Sequence, residues 1–463
     1  MRVGKKLLSG ILGLVLIIVS FGVTANASNV VEIPASEVDS VYNLGVDTNS
    51  IEGWANGPHI YSESGIVMDM DSGAILYAKN IDDQHYPASI TKVATALLAL
   101  QIYEMDEVIK FTWDDIGFLE YGDAHIGMKE HEEMKMEDAM YAMLLSSANE
   151  VSHAIGAHMD GGYDKFIKLL NETTKKLGCT NSNWINTYGL HDPEHYTSVR
   201  DMAIIGAEAF KNEKFREITS TNTHTIPETA MTNQKRYANQ NHKMLRQGDS
   251  RYYEYCVGGK TGYTDQALTT LITFATKADV NLVAVVMRTH GGGNNAYKDT
   301  REMLEYGFNN FTKIDVAEIV KGNKNVSKIV GDACVSLPSG IGITELDTSF
   351  TEPKEKGDKI GSICFTYEGQ TVGSVDVEIT EECYNDIHGI VEIKDAKNDI
   401  KKSKSGILVV LKVILIIFGI ILAGFLALIG FVIYKRRQIE KRRRMRRLQR
   451  RRQMEEARRN NYE

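Results

Sequence analysis

The stretch 86–100 constrains this chain more than any other. Pro87 disfavours helix for Tyr86, and an apolar run opens at Ala88-Ser89 that breaks only at Thr91-Lys92 and Thr95. From Val93 to Leu100 the pattern is apolar almost all round. A helix with that pattern runs through a core rather than along a surface, so the rest of the chain must wrap it. With Ser89 at the start, Lys92 lies one turn further on and faces the same side. A hydroxyl and an amine then meet at the mouth of a buried, rigid element, which suits a nucleophile and its base. Ser-x-x-Lys also arises by chance, so its weight depends on what the other segments supply.

Two hydrophobic segments set the topology. Arg2, Lys5 and Lys6 precede an apolar run over 7–23, and Ala25-Asn-Ala27 supplies small residues for cleavage. Residues 1–27 are expected to be a secretory signal peptide. Residues 406–434 are expected to span a bilayer, since the stretch 413–434 holds 22 residues without a charge. The tail 435–463 carries 14 Lys/Arg against 4 Asp/Glu. The formal net charge of −8 therefore hides a tail of +10 and a remainder of −18. A basic tail next to a spanning helix is expected to be cytoplasmic, with everything before residue 406 outside the cell. Its basic runs suit orientation and anionic lipid better than nucleic acid, and no nucleic-acid partner is expected.

The five cysteines, Cys179, Cys256, Cys334, Cys364 and Cys383, are odd in number and scattered, with no Cys-x-x-Cys. Neither a disulfide framework nor a zinc–thiolate site is indicated, though one bridge among the last three stays open. His191 and His195 are separated by Pro193, and His153 and His158 fall on different sides of a helix, so surface or packed histidines are expected rather than metal ligands. No metal or cofactor is expected.

The length of 463 residues allows about two to three domains. Residues 28–56 show few periodic signals and read as a partly ordered lead-in. The stretch 65–77 reads as a hairpin around Asp71-Ser-Gly73. Helices are expected over 136–145, 150–159, 163–178 and 197–209, with Ser198 as a possible N-cap, and over 297–308. Ser147 and Asn149 fall at a junction between two of these helices, where capping is the ordinary role of such residues. Gly258-Gly-Lys-Thr-Gly262 falls on or beside a strand that leads into two more, 267–276 and 281–288. A phosphate loop is excluded, because that pattern needs glycine where Glu254 stands. Short strands and turns over 312–393 read as a small all-β module, followed by a Lys-rich stalk over 394–405. The catalytic part is then 57–311.

Three short motifs thus occur in order: Ser89-x-x-Lys92, Ser147-x-Asn149 and Lys260-Thr261-Gly262. They fall on a helix start, an interhelical turn and a strand, an order shared by serine β-lactamases and penicillin-binding proteins. The chain resembles the low-molecular-mass penicillin-binding proteins, specifically the serine D-alanyl-D-alanine carboxypeptidases, over about 60–379. The resemblance extends to Asp71-Ser-Gly-Ala-Ile-Leu-Tyr77, to 186–190 with Tyr196-Thr-Ser198, and to Lys260-Thr-Gly-Tyr-Thr264.

The resemblance implies an α+β fold: a β-lactamase/transpeptidase-like catalytic domain of antiparallel sheet and helices, plus a small C-terminal β domain. It implies that Ser89 attacks the carbonyl between two terminal D-alanines of a cell-wall stem peptide. Lys92 then acts as base and Ser147 as proton relay. Asn149, Lys260, Thr261 and Gly262 are the expected substrate contacts, and the backbone N–H groups of Ser89 and Tyr263 the oxyanion site. Penicillins are expected to acylate Ser89. The full spanning helix departs from the short amphipathic C-terminal helix of many relatives. A β-lactamase is disfavoured because the second motif is Ser-Ala-Asn rather than Ser-Asp-Asn. A transpeptidase differs only in its acyl acceptor, and a non-catalytic surface scaffold is the remaining alternative.

Overall fold

The computed structural model describes residues 38–353, 359–388 and Lys435. Its middle layer is an antiparallel sheet of β1 Ser62–Asp69, β2 Ile75–Lys79, β3 Cys256–Thr264, β4 Leu268–Lys277 and β5 Val280–Thr289. The spatial order is β2-β1-β5-β4-β3, which leaves β3 at an edge. The expected hairpin is β1 with β2, where Val67 faces Tyr77. All eight residues of β1 are buried because apolar layers cover both faces. In β5, Val283, Val285 and Met287 enter one apolar cluster while Leu282, Ala284 and Val286 enter the other. That is the period-two pattern of a strand covered on both sides.

One covering layer is helical: α1 Thr91–Ile102, α2 Met136–Leu145, α3 Asn149–Ala157, α4 Tyr163–Lys176, α5 Val199–Lys211 and α6 Glu213–Ser220. Helix α1 is buried from Thr91 to Ala99, as its all-round apolar pattern requires. Truncating a side chain such as Leu98 there is expected to cost about 2–5 kcal/mol. Ser198 is the N-cap of α5, its hydroxyl accepting from Asp201 N–H.

The other layer begins with α7 Gly293–Asn310. Gly307 lets it lie close on the sheet, since a Cβ there would stand 2.9 Å from Leu282 Cδ1 and 3.2 Å from Val67 Cγ1. The chain then passes directly into β6 Phe311–Asp315, β7 Val326–Val330, β8 Cys334–Pro338, β9 Asp347–Thr351, β10 Ile360–Tyr367 and β11 Gln370–Ile379. β6 pairs with β8, and β7-β11-β10-β9 form a four-stranded sheet. Val335, Phe365 and Val375 share an apolar cluster with Trp54, Leu304 and Leu282. Ser374 N–H donates to Ser72 O at 2.8 Å, which ties these strands to the β1–β2 turn.

The described part of the lead-in, 38–56, is bound rather than loose. The Trp54 indole donates to Leu76 O at 2.9 Å. Lys79, fully buried, donates to the carbonyls of Val41, Ile60 and Ser62 at 2.8, 3.0 and 2.9 Å. Its sequence gave no periodic sign of this, because the contacts are single anchors to residues far along the chain. Cys179, Cys256, Cys334 and Cys364 are free thiols, so no bridge joins Cys334 to Cys364. Among the described residues no helix is long and apolar enough to cross a membrane. The expected signal 1–27, stalk 394–405, spanning segment 406–434 and, apart from Lys435, the tail lie outside the described residues.

Candidate active site

Ser89 does not sit in the first α-helical turn but in a 3-10 turn, Ala88–Ile90, that feeds α1. The preceding residue, Ala88, has φ 50°, a left-handed conformation costly for a residue with a Cβ. The turn is gripped from two sides. Thr270 of β4 donates to Pro87 O at 2.8 Å. Opposite, Gly189 (φ 88°) packs so closely that a Cβ there would stand 1.9 Å from Ala88 O. Behind the turn, Ile185 N–H donates to His195 Nδ1 at 3.0 Å, which places the ring proton on Nε2. Nε2 then donates to Thr91 Oγ1 at 2.9 Å, and Thr91 donates to Ala88 O at 2.8 Å. Burial pulls the His195 imidazole down to about 3, so this relay is neutral.

Lys92 is sealed beneath Ser89, which itself is only half-buried. Its Nζ lies 3.1 Å from Ser89 Oγ, 2.7 Å from Asn149 Oδ1 and 2.6 Å from Tyr188 O. The last two atoms only accept, whereas the Ser89 hydroxyl can also donate. A neutral amine that gives its two N–H groups to Asn149 and Tyr188 therefore turns its lone pair to Ser89. Burial, and next the charge of Lys260, hold the Lys92 amine well below its ordinary value.

Ser147 and Asn149 are not caps. Ser147 has φ 62°, and no side chain caps α3. The Ser147 Oγ instead accepts from Lys260 Nζ at 3.0 Å, while Asn149 holds Lys92. A residue in a left-handed kink projects differently from an N-cap, which is how Ser147 reaches the cleft. Lys260 stands on the edge strand β3, is 1% exposed, and also donates to Thr261 O at 2.9 Å. Burial draws its amine down to about 7. His242, 2.8 Å from Thr273 Oγ1 under β3, is pulled to about 3 by burial and by Lys260, and so adds no second charge. Gly262 lies against the turn that carries Ser89: a Cβ there would stand 2.9 Å from Ser89 N and 3.1 Å from Pro87 O. Thr261 is half-buried, and Tyr263 is 62% exposed.

The structure thus gathers two hydrogen-bonded groups, Ser89–Lys92–Asn149 and Ser147–Lys260, close enough for the charge of Lys260 to act on Lys92, with Gly262 against Ser89. Sequence reasoning missed the Tyr188 carbonyl, the His195–Thr91 relay and Glu150. Glu150 is fully buried and accepts from Ile126 N–H at 2.8 Å, and burial raises its carboxyl. Of the remaining histidines weighed as metal ligands, each has its own partner. His153 bonds Asp115 Oδ1 at 2.8 Å, His158 bonds Glu107 Oε2 at 2.9 Å, and His191 packs edge-on to Tyr86. Chemically, the cluster offers a hydroxyl with a base beneath it, and a second hydroxyl joined to a cation that can take an anionic group.

A family model described as D-alanyl-D-alanine carboxypeptidase (Peptidase S11) matches residues 52–291. The D-alanyl-D-alanine carboxypeptidase DacA of Haemophilus influenzae is 27% identical over 354 residues, 70% of this chain and 86% of that protein. DacF of Bacillus subtilis is 25% identical over 342 residues, 69% of this chain and 85% of its own. Among solved structures, a D-alanyl-D-alanine carboxypeptidase of Mycobacterium tuberculosis superposes with TM-score 0.51 at 26% identity, covering 56% of this chain and 95% of that one. The Streptomyces K15 DD-transpeptidase, at 21% identity, shares the fold with TM-score 0.51 over 55% of this chain and 99% of its own.

Proposed function

Because the chain belongs to the family of D-alanyl-D-alanine carboxypeptidases, we propose that Ser89 is the nucleophile with which it removes the terminal D-alanine of a peptidoglycan stem peptide. The observation that carries this is the orientation of Lys92, whose acceptor-only partners leave its lone pair for the Ser89 proton. Ser89 Oγ attacks the carbonyl between the two D-alanines, and Lys92 takes the hydroxyl proton. The N–H groups of Ser89 and Tyr263 receive the oxyanion, and the absent side chain at Gly262 keeps that space open. Ser147 relays the proton that Lys92 took from Ser89 to the leaving D-alanine nitrogen, which leaves Lys92 neutral again. Lys260 and Thr261 take the terminal carboxylate, and Asn149 bonds the peptide while holding Lys92. Water then hydrolyses the ester, releasing the shortened peptide and restoring Ser89. A β-lactam, whose amide imitates the D-alanyl-D-alanine bond, acylates the same oxygen.

The charge pattern and the apolar segments support an enzyme anchored by 406–434, with 1–27 removed, its cleft outside the cell and 435–463 in the cytoplasm. The module over 312–393 would then stand between the cleft and the bilayer.

The test uses the full chain in detergent with a peptide ending in Lys-D-Ala-D-Ala. D-alanine release and penicillin labelling, both lost in Ser89→Ala, are expected. Labelling that survives Ser89→Ala overturns the assignment. Labelling of Ser89 without D-alanine release moves the reading to a transpeptidase.

A further inference from the structure

The proposed oxyanion donors, the N–H groups of Ser89 and Tyr263, belong to different segments. One lies in the 3-10 turn ahead of α1, the other near the end of β3, where Tyr263 faces Thr269 and Thr264 faces Leu268. Two donors stabilise a developing charge only if their separation is fixed beforehand. The Ser89 turn is held by Thr270 of β4, which donates to Pro87 O at 2.8 Å. No motif announces what holds the Tyr263 side.

The strands behind both segments carry a β-bulge. Thr269 faces Thr289 and Leu271 faces Val286, so Thr270 alone stands opposite Met287 and Arg288. Arg288 takes up the extra length in a left-handed conformation, φ 53°. On its other side β5 stays in register with β1. Ser62 faces Thr289 and Ser64 faces Met287, which sets Glu63 opposite Arg288. Glu63 is fully buried. Its Oε1 accepts from Arg288 Nε at 2.7 Å and from His290 Nε2 at 2.6 Å. Its Oε2 has no hydrogen-bond partner among the described residues. From the same guanidinium, Nη1 donates to Gln266 O at 2.6 Å, in the turn between β3 and β4. Where that turn enters β4, Leu268 is left-handed too, φ 54°. A buried carboxylate with an unpartnered oxygen and two left-handed residues bearing a Cβ are costs, and such costs gather at working sites.

We propose that Arg288, held by Glu63, is a positioning residue for the oxyanion site: it fixes the β3–β4 turn, and through it the Tyr263 N–H, relative to the Ser89 N–H. The proposal rests on the carboxypeptidase reading and adds the part of the fold that sets its oxyanion geometry. Arg288 acts through the Gln266 main chain rather than on the reacting atoms. Its planar fork makes the link specific, because Nε and Nη1 keep a fixed angle between Glu63 and Gln266. The bulge brings the two tethers together. Thr270, tied to the Ser89 turn, stands across from Arg288, tied to the turn after Tyr263. His85, four residues before Ser89, lies within reach of the same charge. Burial, and then Arg288 and His290, pull its imidazole down to about 3, so it adds no cation against Arg288.

The experiment compares the native full chain with Arg288→Met and with the double variant Glu63→Gln/Arg288→Met, which leaves no carboxylate buried without its cation. Circular dichroism follows folding, and D-alanine release from acetyl-Lys-D-Ala-D-Ala gives kcat. Penicillin acylation over a range of concentrations separates encounter affinity from the rate of ester formation. Both variants are expected to fold and to keep encounter affinity within about twofold. Both are expected to lose roughly 10²-fold in kcat and in ester formation alike, the scale of a displaced oxyanion donor. Arg288→Lys, which keeps a cation beside Glu63, is expected to recover part of that loss. A folded variant acylated at the native rate, or a loss carried by encounter affinity, overturns the proposal. Unfolding of both variants overturns it too, because the pair would then be an anchor of the fold. A native protein that penicillin acylates but that releases no D-alanine overturns the carboxypeptidase reading, while ester formation still decides the role of Arg288. A native protein that does neither overturns both.

Discussion

Lys79 and Lys92 are both fully buried, and each has three hydrogen-bond partners. Their surroundings differ in two respects. Lys79 meets only main-chain carbonyls, and the charges that act on it are carboxylates, Asp299 first, which favour its ammonium form against the burial that draws it down to about 8. Lys92 meets one hydroxyl that has a proton to give, and Lys260 adds to the effect of burial. Burial is therefore common to an anchor and to the proposed base. The sign of the strongest neighbouring charge, Lys260 for one and Asp299 for the other, and a partner able to donate separate the two.

The largest expected effects break this contrast directly. Ser89→Ala is expected to lower turnover by roughly 10⁴-fold or more and to abolish penicillin labelling. Lys92→Met should lose on the order of 10³-fold in kcat while the protein stays folded, as measured by circular dichroism beside the assay. Lys79→Met is the mirror case. It leaves three carbonyls unpaired and should cost about 3 kcal/mol in denaturant unfolding with kcat kept. If Lys79→Met silenced a folded protein and Lys92→Met did not, the contrast would be inverted.

The pH dependence sharpens the same point. Lys92 must be free of its proton, so kcat/KM falls as pH is lowered through its depressed value. Lys260 must keep its proton to hold the substrate carboxylate, so KM rises on the alkaline side of about 7. Lys260→Gln removes a cation beside Lys92, raises the Lys92 pKa, and is expected to move the acid limb to higher pH. The smallest effect is expected of Glu150→Gln, which removes a buried acid whose charge favours protonated Lys92. The acid limb should shift to lower pH; an unmoved limb would mean that Glu150 is already neutral in this range.

What could be read from the residues follows the same division. Helix α1, the hairpin of β1 and β2, and the motif residues were legible because side-chain type and spacing carry the information. Ser147 and Asn149 were legible as a motif yet pointed to caps when taken alone, because φ 62° at Ser147 leaves no trace in composition. The shortest bond to Lys92 comes from the Tyr188 carbonyl, an atom every residue has. The binding of 38–56 rests on Lys79 reaching Val41 across 38 positions, a contact that no local periodicity reports.

Two of the left-handed residues, those beside the cleft, have a consequence for how such a protein can change. Ala88 and Ser147 stand immediately before Ser89 and within the second motif, at φ 50° and 62°. Together they hold the folded chain roughly 2–4 kcal/mol above what relaxed backbone would give. Glycine at 88 would release part of that strain while freeing the nucleophile's turn to wander. Lineages drifting toward heat tolerance should therefore leave these two positions alone and gather their gains elsewhere, such as in α7 or the outer strands, where a firmer scaffold does not loosen the serine.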